Sequence, residues 1–503
     1  MSSEERTPLI AGQDDAGYNA VVPIAKKAKA ISPLPKMQIF TLMYISFGEP
    51  LAATVIDPFI VQLVRETGIT GGIEARTGYY AGAIESLFYA AEGLTVLQWG
   101  RASDRIGRKP PLVFGTLGLA AAVTSFGFSN SYWPLIASRF MQGVFNGNIG
   151  ITKCVLAEST DSTNIATALS FIPLQYGLGM TFGPMIGGLL AHPAKHWPNT
   201  LGKIALLREH PYLLPCATAA LVPLSAFIWA SIFLKETLPS AIARNKKKSQ
   251  EGISLPPSEA QSEVDVALDE PKVPFSALMN RTVLIPVVNY AFLVFVEQCS
   301  SALLPLVYAS SIEAGGLGLD SFTIGLLMSG VGIGIGLSAT LISPGVLRKL
   351  GPHNTYRTFF WCYLFMILSY PTMNFLARRA GGVDVFVWIV MAAQLSIITL
   401  TVMNYSESWL HLLPSMYIFF NNSAPTKSTL GAVNGLAQTV ACFARILAPI
   451  TSSSLFSLTQ QYNLLGGTMV YWILVSFFLC GLYASSYLPK HLKEEEDERV
   501  EVT

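Results

Sequence analysis

The apolar residues of this chain come in long blocks, and inside each block they surround the helix instead of marking one stripe. The stretch FGTLGLAAAVTSFGF (114–128) contains no charged residue and no recurring polar face. A helix of a soluble protein keeps an apolar stripe opposite a polar one, whereas a helix crossing lipid is apolar all round and needs about 20 such residues. This rule predicts twelve spans, near 38–62, 79–99, 111–130, 133–157, 165–190, 212–234, 283–309, 321–343, 356–376, 384–405, 428–452 and 467–488. The first 36 residues are polar and hold no apolar core of signal-peptide length. The first span itself is therefore expected to direct insertion.

Polar stretches set the organisation. Residues 235–280 are rich in Ser, Pro, Glu and Lys and bury too little apolar surface to fold alone, which predicts a disordered linker. The chain then divides into a disordered tail (1–36), a six-helix bundle (37–234), the linker, a second six-helix bundle (281–489) and an acidic tail (490–503). A six-and-six division invites a search for repetition. DRIGRKP (104–110) and RKLGPHN (348–354) both stand at the exit of the second span of their half, and FGPMIGG (182–188) lies over LAPITSS (447–453) in the fifth.

Composition sharpens this picture. Hydrophobic residues make up 51% of the chain and charged residues 13%, a membrane balance rather than that of soluble domains. A net charge of +1 leaves no basic surface able to neutralise many phosphates, so no nucleic-acid partner is expected. With the amino terminus in the cytoplasm, 23 of the 33 Lys and Arg fall in cytoplasmic segments and 7 in outer loops. Basic residues set topology, so both termini are expected inside. The six cysteines lie in predicted spans without CxxC spacing, and no disulfide framework, metal site or cofactor is expected.

Charge within the spans is the candidate chemistry, because in hydrocarbon it must be paired, protonated or wetted. Glu49 and Asp57 lie in span one, Glu85 and Glu92 in span two, and Glu297 in span seven. Seven residues apart, Glu85 and Glu92 share a helix face about 10 Å apart along the axis. The bland alternatives are a polar inter-helix contact for Glu92 and simple solvation for Asp57 near the outer end. Arg139, Gln142 and Asn146 form one polar stripe on span four, and the arginine, which cannot shed its proton, requires a partner. Lys153 continues the stripe near the cytoplasmic end, where snorkelling to water is the favoured reading. Arg445 has no obvious partner by sequence. Gly179, Gly183 and Gly187 recur every four residues on one face of span five and admit a close helix neighbour, while Pro184 removes a backbone bond.

The charged segment GRASDRIGRKP (100–110) packs Arg101, Arg105, Arg108 and Lys109 around Asp104. Gly100 to Lys109 resembles the loop signature after span two of the major facilitator superfamily, with Ala102 where that family usually has Leu. Arg139-Phe140-Met141-Gln142-Gly143 resembles its fourth-span signature. Gly179, Gly183, Pro184, Gly187 and Gly188 match the fifth-span signature of its twelve-span drug:proton antiporters, although Ser170 replaces the Gly that opens the longer form of that pattern. More narrowly, EPLAATVIDPF, AGAIESLF, NGNIG, LLPLVYASSIEAGGLG and LGAVNGLAQ resemble plant and fungal relatives of the zinc-induced facilitator group. The resemblance implies a latch in which Asp104, near Gly100, Arg105, Gly107 and Arg108, meets Arg108 and the amino end of span eleven while the cytoplasmic side is shut. It also associates the fifth-span pattern with exchange.

One region departs from this scheme. From Val385 to Pro425 the chain is too long for one span and turn, and YSESWLHLLPSMY inserts Glu407, His411 and Pro414. A kink, an insertion at the membrane face and a gene-model error are the three explanations. In the tail, Glu5 to Ile10 fits an acidic dileucine-like sorting pattern, which suits a vacuolar membrane; the plasma membrane is the alternative. The expectation is an all-helical, monomeric, multi-pass carrier in a lipid bilayer that moves a small organic solute in exchange for protons. A sensor of the same fold and a uniporter or symporter are its rivals. A membrane enzyme would need a catalytic cluster at the membrane face, which the sequence lacks.

Overall fold

The computed structural model describes residues 32–147, 149–161, 163–250, 280–405, 415–423 and 430–489, and the regular elements among them are helical. The described helices of 15 residues or more are α1 (Lys36–Thr54), α2 (Thr77–Ile106), α3 (Lys109–Phe128), α4 (Tyr132–Asn146), α5 (Ile172–Leu190), α6 (Leu213–Phe233), α7 (Arg281–Ala309), α8 (Ser321–Leu341), α9 (Ser343–Ala380), α10 (Val385–Tyr405), α11 (Leu430–Gln461) and α12 (Met469–Ser485). Six of them, α3, α6, α7, α8, α9 and α11, are long and apolar enough to cross a membrane by length and composition. The helices α1, α2, α4 and α5, which hold most of the candidate polar and glycine residues, are not among those six.

Several predicted spans are interrupted. Span one breaks after Thr54, and a turn through Val55–Phe59 leads into a short helix, Ile60–Glu66. Pro58 has no N–H to donate to Thr54, and Asp57 N–H takes that carbonyl at 3.2 Å. Span four ends at Asn146 and a separate helix runs over Ile149–Glu158. Beside that break the Val144 carbonyl accepts from Trp99 Nε1 at 2.6 Å and Thr95 Oγ1 at 3.3 Å. Backbone irregularity inside a membrane survives only when the freed groups find partners in this way. Within 385–425 the described residues form α10, Val385–Tyr405, and a short helix, Ser415–Ser423. Glu407, His411 and Pro414 lie outside the described residues, as do 1–31 of the first tail and 490–503.

The linker reading also needs correction at its start. Residues Pro239–Gln250 are helical, and they dock on the exit of α2. Arg244 donates to the carbonyls of Arg105 and Ile106 at 3.0 and 3.1 Å, filling acceptors that the end of α2 leaves open. Composition hid this because the helix is held by contacts to another element and not by a core of its own.

Two contacts join the halves along their length, and they are built alike. α2 packs between α4 and α11, and α5 between α1 and α8. Gly82 approaches the Pro449 carbonyl and Ser453 of α11, and Gly78 approaches Ser453 and Ser457. In the other contact Gly325 of α8 approaches the Pro184 carbonyl and Gly188 of α5, and Gly188 approaches Ser321. Pro184 with Gly188 thus stands to Gly325 and Ser321 as Pro449 with Ser453 stands to Gly82 and Gly78. The match of FGPMIGG with LAPITSS is this repeat seen in sequence. Its partner match holds as well: Gly107 and Gly351 both take positive φ, 108° and 71°, with ψ 164° and 167°. A Cβ is strained in that conformation, which is why each half keeps a glycine there.

Candidate functional site

Three helices of the first half supply buried polar groups at nearly the same interval. Glu85 and Glu92 are seven residues apart on α2, Arg139 and Asn146 seven apart on α4, and Glu49 and Asp57 eight apart on α1 and its following turn. A seven-residue step advances about 10 Å along a helix. The groups therefore form two storeys.

The storey toward the α1 break holds Arg139, Asp57 and Glu85, which line a small cavity with Ile56, Ala302 and Ser453. Arg139 is 3% exposed. Its Nη1 donates to Gln142 Oε1 at 2.8 Å, its Nη2 reaches the Ala53 carbonyl at 3.5 Å, and its guanidinium lies 4.4 Å from the centre of the Phe88 ring. Asp57 and Glu85 face the guanidinium across the cavity, without an ion-pair contact to it. The contact partner of Arg139 is Gln142 and not a carboxylate. Asp57 is half-buried beside a cation, not solvated at an outer end, because the break in α1 turns it inward.

In the second storey Asn146 Nδ2 donates to Glu49 Oε1 at 3.0 Å. Glu49 thus belongs with Asn146, seven residues from Arg139, and is not the partner of that arginine. Glu92 faces Arg445 of α11 and Lys153, while Lys153 faces Glu49. The Lys153 ammonium is shut off from solvent and does not snorkel. Glu297 of α7 faces the same Arg445, so this arginine stands between acids from both halves. Tyr176 of α5 lies in reach of both Glu297 and Glu49. Sequence reasoning missed Tyr176 because a tyrosine among apolar residues reads as packing.

The glycines of α5 divide between two neighbours. Gly179, Gly183 and Gly187 face α1, where a Cβ would meet Pro50, Thr54 and the Val55 carbonyl respectively, and Gly188 faces α8. Pro184 lies inside a helix that continues past it. This face positions the α1 break and hence Asp57.

At the opposite end of α2, Arg108 Nη1 donates to Asp104 Oδ1 at 2.5 Å and Nη2 to Glu158 Oε1 at 2.9 Å. The Glu236 carboxylate accepts the N–H groups of Arg108 and Lys109 at 2.8 and 3.0 Å. It lies against Gly107, leaving no room for a Cβ. Burial pushes the Glu236 carboxyl up, but these backbone donors outweigh it and hold the group below its ordinary range. The Asp104 side chain is 65% exposed with Arg108 as its ion-pair partner, and Arg105 is exposed. Gly100 has no neighbour that a Cβ would touch. No group of His, Cys, Asp and Glu among the described residues is arranged to hold a metal ion.

Comparison with known proteins agrees with this architecture. Residues 42–449 match the Major Facilitator Superfamily. The chain is 30% identical over 499 residues to the major facilitator-type transporter psiT2 of Psilocybe cyanescens, covering 94% of each. It is 26% identical over 491 residues to ZINC INDUCED FACILITATOR 1 of Arabidopsis thaliana, covering 96% of this chain and 97% of that one. A solved D-xylose-proton symporter shares the fold with a TM-score of 0.63 at 13% identity, covering 91% of this chain and 98% of that one. With relatives that are transporters and not enzymes, and with its long apolar helices, the chain is an integral multi-pass membrane transporter and belongs to the Major Facilitator Superfamily.

Proposed function

We propose that this transporter exchanges a small organic solute for protons by alternating access of two six-helix halves. In this reading the chain makes twelve spans, keeps both termini in the cytoplasm and works as a monomer in the vacuolar or plasma membrane. The observation that carries it is the two-storey array: five half-buried acids, Glu49, Asp57, Glu85, Glu92 and Glu297, converge on Arg139, Lys153 and Arg445. An acid there is either balanced by a cation or protonated.

Proton uptake at Asp57 or Glu85 removes the charge that balances Arg139, and release restores it. The two charge states favour different openings of the cavity, which is the differential interaction that any driven equilibrium requires. Glu49, Glu92 and Glu297 do the same for Lys153 and Arg445 across the boundary between the halves. Asp104 and Arg108 act as the cytoplasmic latch, closing on α11 in the alternate state. The α5 glycines hold the α1 break in place during the exchange.

Sealed vesicles with an imposed pH gradient test this. Collapse of the gradient should stop concentrative uptake and spare slow downhill exchange. Concentrative uptake that survives both collapse and the Asp57→Asn, Glu85→Gln double change would refute proton exchange and leave a uniporter or another driving ion. Solute binding without any movement would mark a sensor.

A further inference from the structure

Beyond the cavity, the end of the protein opposite Asp104 contains a charged contact that the site does not use. Arg65, in the short helix Ile60–Glu66, pairs with Glu74 at 2.7 Å. Both residues belong to the first half, so the ion pair alone closes nothing. Each also bonds to the second half. Arg65 Nη2 donates to the Ala309 carbonyl at 3.2 Å and to Ser310 Oγ at 3.5 Å. Glu74 Oε1 accepts the Ser311 N–H at 2.8 Å, and its Oε2 accepts the Ser311 hydroxyl at 2.9 Å.

The polarity of this contact is specific. Ala309 is the last residue of α7, and terminal carbonyls of a helix lack donors and carry its partial negative charge. The cation therefore meets the helix end, and the anion meets the N–H just past it. From the same short helix, Gln62 Oε1 accepts from Ser321 Oγ at the start of α8 at 3.1 Å, a second bond between the halves. The Arg65 and Glu74 side chains are 29% and 32% exposed, so water can replace the α7 contacts while the two ions keep each other. That suits a bond made and broken in every cycle.

We propose that Arg65 and Glu74 are gating residues: a preformed ion pair that clamps the carboxyl end of α7 and holds this face of the transporter shut. The proposal rests on the alternating-access reading above, and it adds a counterpart to the Asp104 latch at the other membrane face. The pair positions the halves and does not touch the transported solute.

Ser453, buried beneath the clamp against Gly78 and Gly82, reports the opening. In the full chain with its six native cysteines replaced by Ala or Ser, Ser453→Cys is labelled with a membrane-impermeant maleimide applied from the clamped face of sealed vesicles. Glu74→Gln and Arg65→Met should each raise the labelling rate about tenfold, the loss of one or two charge-assisted bonds. Ser311→Ala, which keeps the N–H, should raise it less. The exchange R65E/E74R separates a clamp from a local brace. It restores the ion pair but turns a carboxylate toward the Ala309 carbonyl and a guanidinium toward the Ser311 N–H, so labelling should stay fast. Parental labelling in Glu74→Gln or in the exchange variant would overturn the proposal. So would a melting temperature that falls in step with labelling across the series, because that is the behaviour of a brace. Labelling requires no solute, so a chain that transports nothing yet labels as expected would defeat the transport reading and leave the clamp standing.

Discussion

Gly187→Ala tests how the α5 glycines support the site. A Cβ at Gly187 would overlap the Val55 carbonyl oxygen, with the carbonyl carbon at 3.0 Å and Pro58 Cδ at 3.4 Å. The obstacle is backbone in the turn where α1 has broken, so it cannot rotate aside. At Gly183 the first obstacle is the Thr54 hydroxyl, a side-chain atom, with the Leu51 carbonyl oxygen at 2.9 Å. Gly100 on α2 meets nothing within 4 Å and serves as the control. Overpacking costs about 1–3 kcal/mol, and replacing Gly by Ala within a helix returns up to about 1 kcal/mol. Because the obstacle is backbone, the upper part of that cost applies, and the net loss for Gly187→Ala is about 1–2 kcal/mol, which for a unit of about 150–250 residues lowers the melting temperature by roughly 2–8 °C. Gly100→Ala should not lower it. Because the displaced backbone leads directly to Asp57, initial uptake in vesicles should fall more steeply than stability does. Thermal unfolding of the purified protein and uptake rates on the same preparations measure both. A Gly187→Ala protein as stable and as active as its parent would refute the close-packing account.

Further outcomes follow from the same contacts. Gly183→Leu should abolish transport by separating α5 from α1, whereas Gly183→Ala should retain part of it, measured as uptake per folded protein. Glu49→Gln keeps an acceptor for Asn146 Nδ2, so protein yield should stay near normal while concentrative uptake falls; loss of yield instead would make Glu49 a structural acid. Asp104→Asn should leave folding intact, since Arg108 retains Glu158, but should slow or bias exchange, seen as altered accessibility of cavity cysteines. The Glu236 carboxyl, held below its ordinary value by backbone donors, contributes stability above that ordinary value and loses it as pH falls through the lowered one. Amide exchange over 239–250, corrected for intrinsic pH effects, should therefore rise on acidification, and Glu236→Gln should show fast exchange already at neutral pH.

The all-helical character was legible in the sequence because all-round apolarity is a local property that needs no knowledge of neighbours. The stripe Arg139, Gln142 and Asn146, the α5 glycine face and the shared face of Glu85 and Glu92 were legible for the same reason: a single helix has a known period. The internal repeat was visible as faint matches, and positive φ at Gly107 and Gly351 supplies its physical cause. Partnership between helices was a different matter. Arg139 faces Asp57 and Glu85 and not Glu49 because a break after Thr54, where Pro58 has no N–H to give, turns Asp57 inward, and the groups it meets there come from α2 and α4. Lys153 points into the protein because its neighbours there include Glu49 and Glu92, which come from two other helices. Arg65 and Glu74 meet the end of α7 only through the packing of the two halves. A sequence lists what each helix can offer; which groups meet is decided by packing among helices far apart in the chain, and in this protein the charges acquire their roles only there.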